Sequence, residues 1–164
     1  MRRRPRSVRQ IIISTRHLLL DFDGPICSIF AETPAPVVAG QLRSILRAAG
    51  ISFPADVEAE QDPLEVFSYA AGLSPQTADL AQRELTKLET RAAATAKPTE
   101  GAADLIATVA ATGRAVIIVS NNSSYAILEY LAIHRIGPVA GVMGPRRVRP
   151  RADETQPLPG PGRR

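Results

Sequence analysis

The chain of 164 residues contains no tryptophan, a single cysteine (Cys27) and only two lysines, Lys87 and Lys97. One cysteine allows no disulfide framework within the chain, which fits a reducing compartment. Cys27 has the chemistry of a nucleophile, but its place at the start of an apolar segment reads better as a small buried hydrophobe. Aromatic residues make up 4% of the chain, few for a protein that stacks on nucleic-acid bases. No apolar run approaches the roughly 20 residues that cross a bilayer. Ile11 to Ile13 follow the basic stretch Met1 to Arg6. That run is too short for a signal-peptide core, and no small-residue cleavage site follows. The expectation is a cytoplasmic protein with a basic leader over residues 1–16. Ile11 to Ile13 form either a short extra strand or part of that leader.

What is present suits one globular domain. Apolar content is 45%, and the length is sufficient to bury a real core. The net charge of +4 is unevenly spread. Residues 1–9 hold five arginines and no acid, and residues 144–164 hold six arginines against Asp153 and Glu154. The middle carries nine basic and fourteen acidic residues, a balance of −5. A cationic end can touch nucleic acid or an anionic surface, although a solvated terminus is the default reading.

The segment His17 to Gly24 organises the rest. Three leucines bounded by a polar start and a glycine read as a parallel strand buried on both faces. Asp21 then falls at the strand's carboxyl end, where open α/β sheets bind ligands. Asp23 belongs to the loop just outside, and Gly24 permits a sharp turn. Two acids this close repel unless a cation or a shared proton relieves them. A hard cation such as magnesium, bound by carboxylate oxygens and water, does so. The competing reading is a turn or helix cap.

Downstream, Pro34 to Pro36 mark a break. Val38, Leu42, Ile45 and Leu46 then predict an amphipathic helix stopped by Gly50. Asp62 and Pro63 predict a helix start, with Leu64, Phe67, Tyr69 and Ala70 inside and Gly72 at its end. Ser74 and Pro75 open a long helix to about Ala96, with Ala78, Leu80, Ala81, Leu85 and Leu88 inside and its other side solvated. Thr99 reads as the N-cap of a further helix. Ala103, Leu105, Ile106 and Val109 form its inner side, and Gly113 closes it. Ala115 to Val119 is β-branched and unbroken, a second buried parallel strand. It ends at Ser120, a polar residue at a strand tip like Asp21. A hydroxyl there, with backbone N–H groups of the loop and next helix, can hold an anionic oxygen. Alternatively, Ser120 or Asn121 caps the helix that begins near Ser124, whose inner residues are Ile127, Leu128, Leu131 and Ala132. His134 and His17 read as structural, His134 as a helix-terminal cation. Strand and helix order on both sides of an all-helical insertion argues for a doubly wound parallel α/β sheet.

These features together resemble the haloacid dehalogenase (HAD) superfamily of hydrolases, mostly magnesium-dependent phosphatases. Leu18 to Gly24 is similar to its first motif, Val119 to Asn122 to its second, and Pro98 to Gly101 to the lead-in of the helix between them. The similarity spans about residues 17–143. It implies a Rossmann-like core over residues 17–29 and 98–143, a helical cap over 30–97, and a Pro/Arg-rich tail over 144–164. It further implies that Asp21 is a nucleophile forming an aspartyl-phosphate. Asp23 would act as acid and then base. Mg2+ would sit on the Asp21 carboxylate and the Asp23 carbonyl. Ser120 and the Asn121 N–H would bind the phosphoryl group, and a small phosphorylated metabolite would be the substrate.

The chain departs from the family after the second motif. A third motif should bring a lysine and a fourth should bring acidic metal ligands, yet both lysines precede Ser120. The tail has five prolines in its twenty-one residues and no strand before Asp153 and Glu154. The composition is that of a disordered segment. The expectation is a truncated or frame-shifted member with an incomplete sheet, in which Arg146 or Arg147 stands in for the lysine. A catalytically inactive remnant or binding module is the alternative. Nucleic-acid contact through the Arg-rich ends ranks below both, because the folded middle is acidic.

Overall fold

The computed structural model describes Gln10 and residues 14–145. The basic leader, Ile11 to Ile13 and the tail with Arg146, Arg147, Asp153 and Glu154 lie outside the described residues.

Among the described residues the elements follow in the order β1 (His17–Leu20), α1 (Ala35–Ala48), α2 (Ala55–Glu58), α3 (Pro63–Leu73), α4 (Pro75–Thr95), α5 (Ala102–Ala111), β2 (Ala115–Val119), α6 (Ser124–His134) and β3 (Gly141–Met143). The strands form one parallel sheet in the order β1-β2-β3, with Leu20 opposite Ile118 and Val119 opposite Met143. This is the α/β class with a parallel sheet, and the sheet is short. Among the described residues, no helix is long and apolar enough to cross a membrane.

The helix starts lie where local chemistry puts them. The Asp62 carboxylate accepts the Leu64 N–H at 2.8 Å, and the Ser74 hydroxyl accepts the Thr77 N–H at 3.1 Å. Each satisfies a donor that a helix start leaves without an internal partner. Proline follows each cap, where its missing N–H costs nothing. Gly50 and Gly113 end their helices at φ +87° and +77°, conformations that a Cβ would strain.

Two apolar clusters hold the fold. In the first, Val38, Leu42 and Leu46 of α1 meet Val66 and Ala70 of α3 and Ala81, Leu85 and Leu88 of α4. The second lies against the sheet and contains Phe22, Ile26, Ile29, Ile106, Val116, Ile118, Ile127 and Tyr130. Each fully buried Leu, Ile or Phe contributes about 1.5–3 kcal/mol of transfer free energy. The long helix α4 joins the clusters. Its Leu85 belongs to the first, and Ala92 and Ala93 belong to the second.

Several expectations fail for reasons of packing. Among the described residues strand β1 lies at the edge of the sheet, and it is not buried on both faces. Leu19 is 62% exposed, while Val116 and Ile118 on the opposite face of the sheet are 1% and 0% exposed. The register places Leu19, Val119 and Met143 together on the open face. An alternating environment follows from the period of two along a strand. Strand β3 has only three residues, too few to give a period, and was not expected. Helix α3 runs through Gly72 to Leu73, because Ser74 is taken up as the cap of α4. Val66 is fully buried within α3, although the sequence reading left it out of the inner face. Thr99 is not an N-cap: Gly101 holds that place, and the Thr99 hydroxyl donates to the Gly24 carbonyl at 2.7 Å. The inner sides of α5 and α6 hold only in part: Ile106, Ile127 and Leu131 are buried as expected. Ala102 and Tyr130 are buried, while Leu105 and Leu128 are 47% and 53% exposed.

Candidate active site

Asp21 and Asp23 leave β1 on either side of a buried peg. The Phe22 side chain is fully buried and meets the Tyr130 ring edge-on, with centroids 5.2 Å apart. Both aspartates are exposed. The loop around them is closed by backbone bonds. The Phe22 carbonyl accepts the N–H groups of Ile26 and Cys27, each at 3.2 Å, and Gly24 turns at φ +94°. The Asp23 Oδ1 accepts the Ile29 N–H at 3.0 Å, and the Asp21 Oδ1 accepts the Phe22 N–H at 2.6 Å. Thr99 ties this loop to the segment that returns from the helices, because its own N–H also donates to Ile26 at 2.9 Å.

The second wall begins at the tip of β2. The Ser120 N–H donates to Met143 at 2.9 Å, extending the β2–β3 pairing by one bond. The Ser120 hydroxyl donates to Asn122 Oδ1 at 3.1 Å and accepts the Asn122 N–H at 3.2 Å. Gly144 packs against this turn. A Cβ there would lie 2.7 Å from the Asn122 carbonyl oxygen.

Asp21, Asp23, Ser120 and Asn121 line one open cleft of about 590 Å3, whose far side is lined by Pro36, Asp62 and Leu64 of the helical segment. The two strand tips that carry them are neighbours in the sheet. The sequence-expected residues are thus brought together at one end of the sheet. His17 and His134 do not line the cleft, and the His134 ring lies on Tyr130 with centroids 4.2 Å apart. Cys27 is fully buried, and burial, aided by the charge on Asp23, pushes its thiol up to about 12. A thiol so protonated is no nucleophile.

The cleft is acidic. Among the described residues that line it are five carboxylates (Asp21, Asp23, Glu60, Asp62 and Glu89) and no Lys, Arg or His. Two of these have local duties. Asp62 caps α3, and the Glu60 carboxylate is held below its ordinary range by the N–H groups of Asp62 and Gln61. Glu89 was missed by sequence reasoning. It is 1% exposed and reaches the cleft from α4. The signal lay in its neighbours: Leu85, Leu88, Ala92 and Ala93 surround it at helical spacing, so it sits within the apolar stripe.

No group of three or more His, Cys, Asp or Glu side chains that could hold a metal occurs among the described residues. The exposed Asp21 and Asp23 side chains at the cleft nevertheless suit a hard cation that keeps most of its own water. Magnesium characteristically uses one or two carboxylates and completes its shell with water and phosphate oxygens. The donor chemistry fits Mg2+ and makes no closed protein cage.

No family model matches the chain, and no curated protein matches it. Solved structures do. YfnB from Bacillus subtilis, described as a HAD-hydrolase and bound to magnesium, aligns at 18% identity over 79% of this chain and 64% of its own, with a TM-score of 0.45. A HAD-superfamily hydrolase of subfamily IA from Geobacter sulfurreducens aligns at 18% identity over 82% and 65%, with a TM-score of 0.42. A hydrolase from Streptococcus pneumoniae aligns at 16% identity over 79% and 66%, with a TM-score of 0.38. The chain therefore spans a little under two thirds of the length of these structures.

Proposed function

We propose that this chain is a magnesium-dependent HAD-like hydrolase that cleaves a small phosphate ester through an aspartyl-phosphate on Asp21. One observation supports it above the others. Two carboxylates at the tip of β1 and a hydroxyl-bearing turn at the tip of β2 face a single cleft with a helical roof.

In this reading an Asp21 carboxylate oxygen attacks phosphorus as the ester P–O bond breaks. Asp23 gives its proton to the departing alkoxide oxygen, then takes one from the water that attacks the aspartyl-phosphate. Phosphate leaves and Asp21 is regenerated. The Ile29 N–H occupies Asp23 Oδ1, so Oδ2 is the oxygen available to carry the proton. Ser120 and the Asn121 N–H hold phosphoryl oxygens, for which the Ser120 hydroxyl gives up its bond to Asn122. Mg2+, held by Asp21 and the Asp23 carbonyl, would offset negative charge on the transferring group. The substrate class is a small phosphorylated metabolite.

A second reading is favoured by the acidity of the cleft. Five carboxylates with no cationic side chain among the described lining residues repel a phosphate dianion, as a catalytically inactive HAD-like protein could allow. Release of p-nitrophenol from its phosphate ester, with and without Mg2+, separates the two. Catalysis requires Mg2+-dependent turnover that Asp21→Asn abolishes and that Asp23→Asn lowers by about 10²–10⁴-fold. Turnover unchanged in Asp21→Asn overturns the nucleophile assignment. A folded chain without turnover supports the inactive form.

A further inference from the structure

We propose that Glu89 is a positioning residue that holds the anion-binding turn Ser120–Ser123 from the helical segment. The proposal rests on the phosphate reading above. A glutamate on a long helix is ordinarily solvated, and burying its charge is costly unless it is well bonded. Glu89 is nevertheless 1% exposed. Its Oε2 accepts the Ser123 N–H at 2.9 Å, and Asn122 Nδ2 donates toward its Oε1 at 3.5 Å.

The position of these bonds gives them their consequence. Ser123 is the N-cap of α6 and makes no side-chain cap bond of its own. The first N–H groups of a helix have no partner inside it. Glu89 supplies from a different helix what a capping side chain supplies locally, and its charge suits the positive end of the α6 dipole. The adjoining Asn122 is 7% exposed. With its Nδ2 turned to Glu89, its Oδ1 receives the Ser120 hydroxyl, and its backbone N–H donates to that same hydroxyl. Glu89 thereby fixes the turn whose Asn122 N–H holds the Ser120 hydroxyl, a backbone bond that remains when the hydroxyl turns from Asn122 Oδ1 to a phosphoryl oxygen. On α4 it stands between Leu85 and Leu88 of the all-helical cluster and Ala92 and Ala93 of the sheet cluster. The turn that receives phosphate is therefore fastened to the helix that carries the roof.

The test uses the full chain with Mg2+ present and inorganic phosphate as the probe. The readouts are the phosphate Kd by calorimetry, hydrogen exchange at the Ser123 amide and thermal unfolding. Glu89→Ala is expected to weaken phosphate binding by about tenfold or more, a loss of about 1.4 kcal/mol, and to speed exchange at Ser123. Glu89→Gln retains a carbonyl that can accept the Ser123 N–H and removes one of the five negative charges of the cleft, so it should keep Ser123 protected and bind phosphate at least as tightly as the wild type. A Glu89 that merely supports the fold would lower the melting temperature and leave the Kd of the folded protein unchanged. That result, or fast Ser123 exchange without loss of affinity, overturns the proposal. If Glu89→Ala does not fold, Glu89→Gln decides: weakened binding with Ser123 still protected overturns it. A wild-type chain that binds no phosphate overturns the phosphate reading and this role together. Binding that is indifferent to Glu89 overturns this role alone.

Discussion

Truncation of Phe22 probes how the two aspartates are held. Phe22 has no solvent exposure, packs in the cluster that contains Ile26, Ile29 and Tyr130, and contacts Tyr130 edge-on at 5.2 Å. Removing a buried phenyl ring to Ala costs about 3–5 kcal/mol, counting both lost transfer energy and the cavity left behind. About 0.5–1.5 kcal/mol of this belongs to the aromatic pair. Domains of this kind are stable by about 5–15 kcal/mol, so Phe22→Ala should leave the chain marginal and Phe22→Leu should be tolerated. Urea unfolding at matched slope gives the first number directly. The second measurement is turnover per folded molecule of Phe22→Leu. It should fall by more than its stability loss explains, because Asp21 and Asp23 flank the peg and take their direction from it. A Phe22→Ala cost below about 1 kcal/mol, under the range for a buried ring, would refute the idea that the loop carrying Asp21 and Asp23 is anchored from beneath.

Three further outcomes are expected. Leu19→Thr should change stability by less than about 0.5 kcal/mol in urea, since Leu19 is 62% exposed, while Ile118→Ala on the covered face should cost about 2–5 kcal/mol. Equal costs would contradict the covering of only one face of the sheet. Gly144→Ala places a Cβ 2.7 Å from the Asn122 carbonyl oxygen. It should cost about 1–3 kcal/mol and weaken phosphate binding measured by calorimetry, as the turn is pushed aside. Cys27 should resist iodoacetamide in the folded chain and react in urea. Its thiol is raised from 9.0 to about 12 on folding, so the folded state holds the proton more tightly. The stability this gives is complete below the unfolded value and is lost as pH rises from about 9 toward 12. Urea unfolding across that window should show a fall that Cys27→Ala flattens.

Legibility in the sequence followed the range of the interaction. Asp62 with Pro63 and Ser74 with Pro75 start their helices through bonds to N–H groups two or three residues ahead. A reader needs only those few residues to see the signal. The same holds for Gly50 and Gly113 at helix ends, and for two acids separated by Phe22. Thr99 shows the limit. Its local context reads as a cap, but its hydroxyl is taken by Gly24, 75 residues away, and the helix starts at Gly101 instead.

The sequence by itself determined the local material of this protein: parallel strand segments ending in Asp21 and Ser120, helices between them, and only two lysines, both before Ser120. Only the tertiary structure decided which surfaces that material covers. Leu19 and Leu20 are chemically alike, and a strand's own residues do not say whether a neighbour lies on one face or both. Glu89 looks like any helical glutamate until Ser123, 34 residues later, arrives beside it. Local propensity is settled by the backbone within a turn or two. Burial and charge pairing are settled by segments that meet only after the chain has folded.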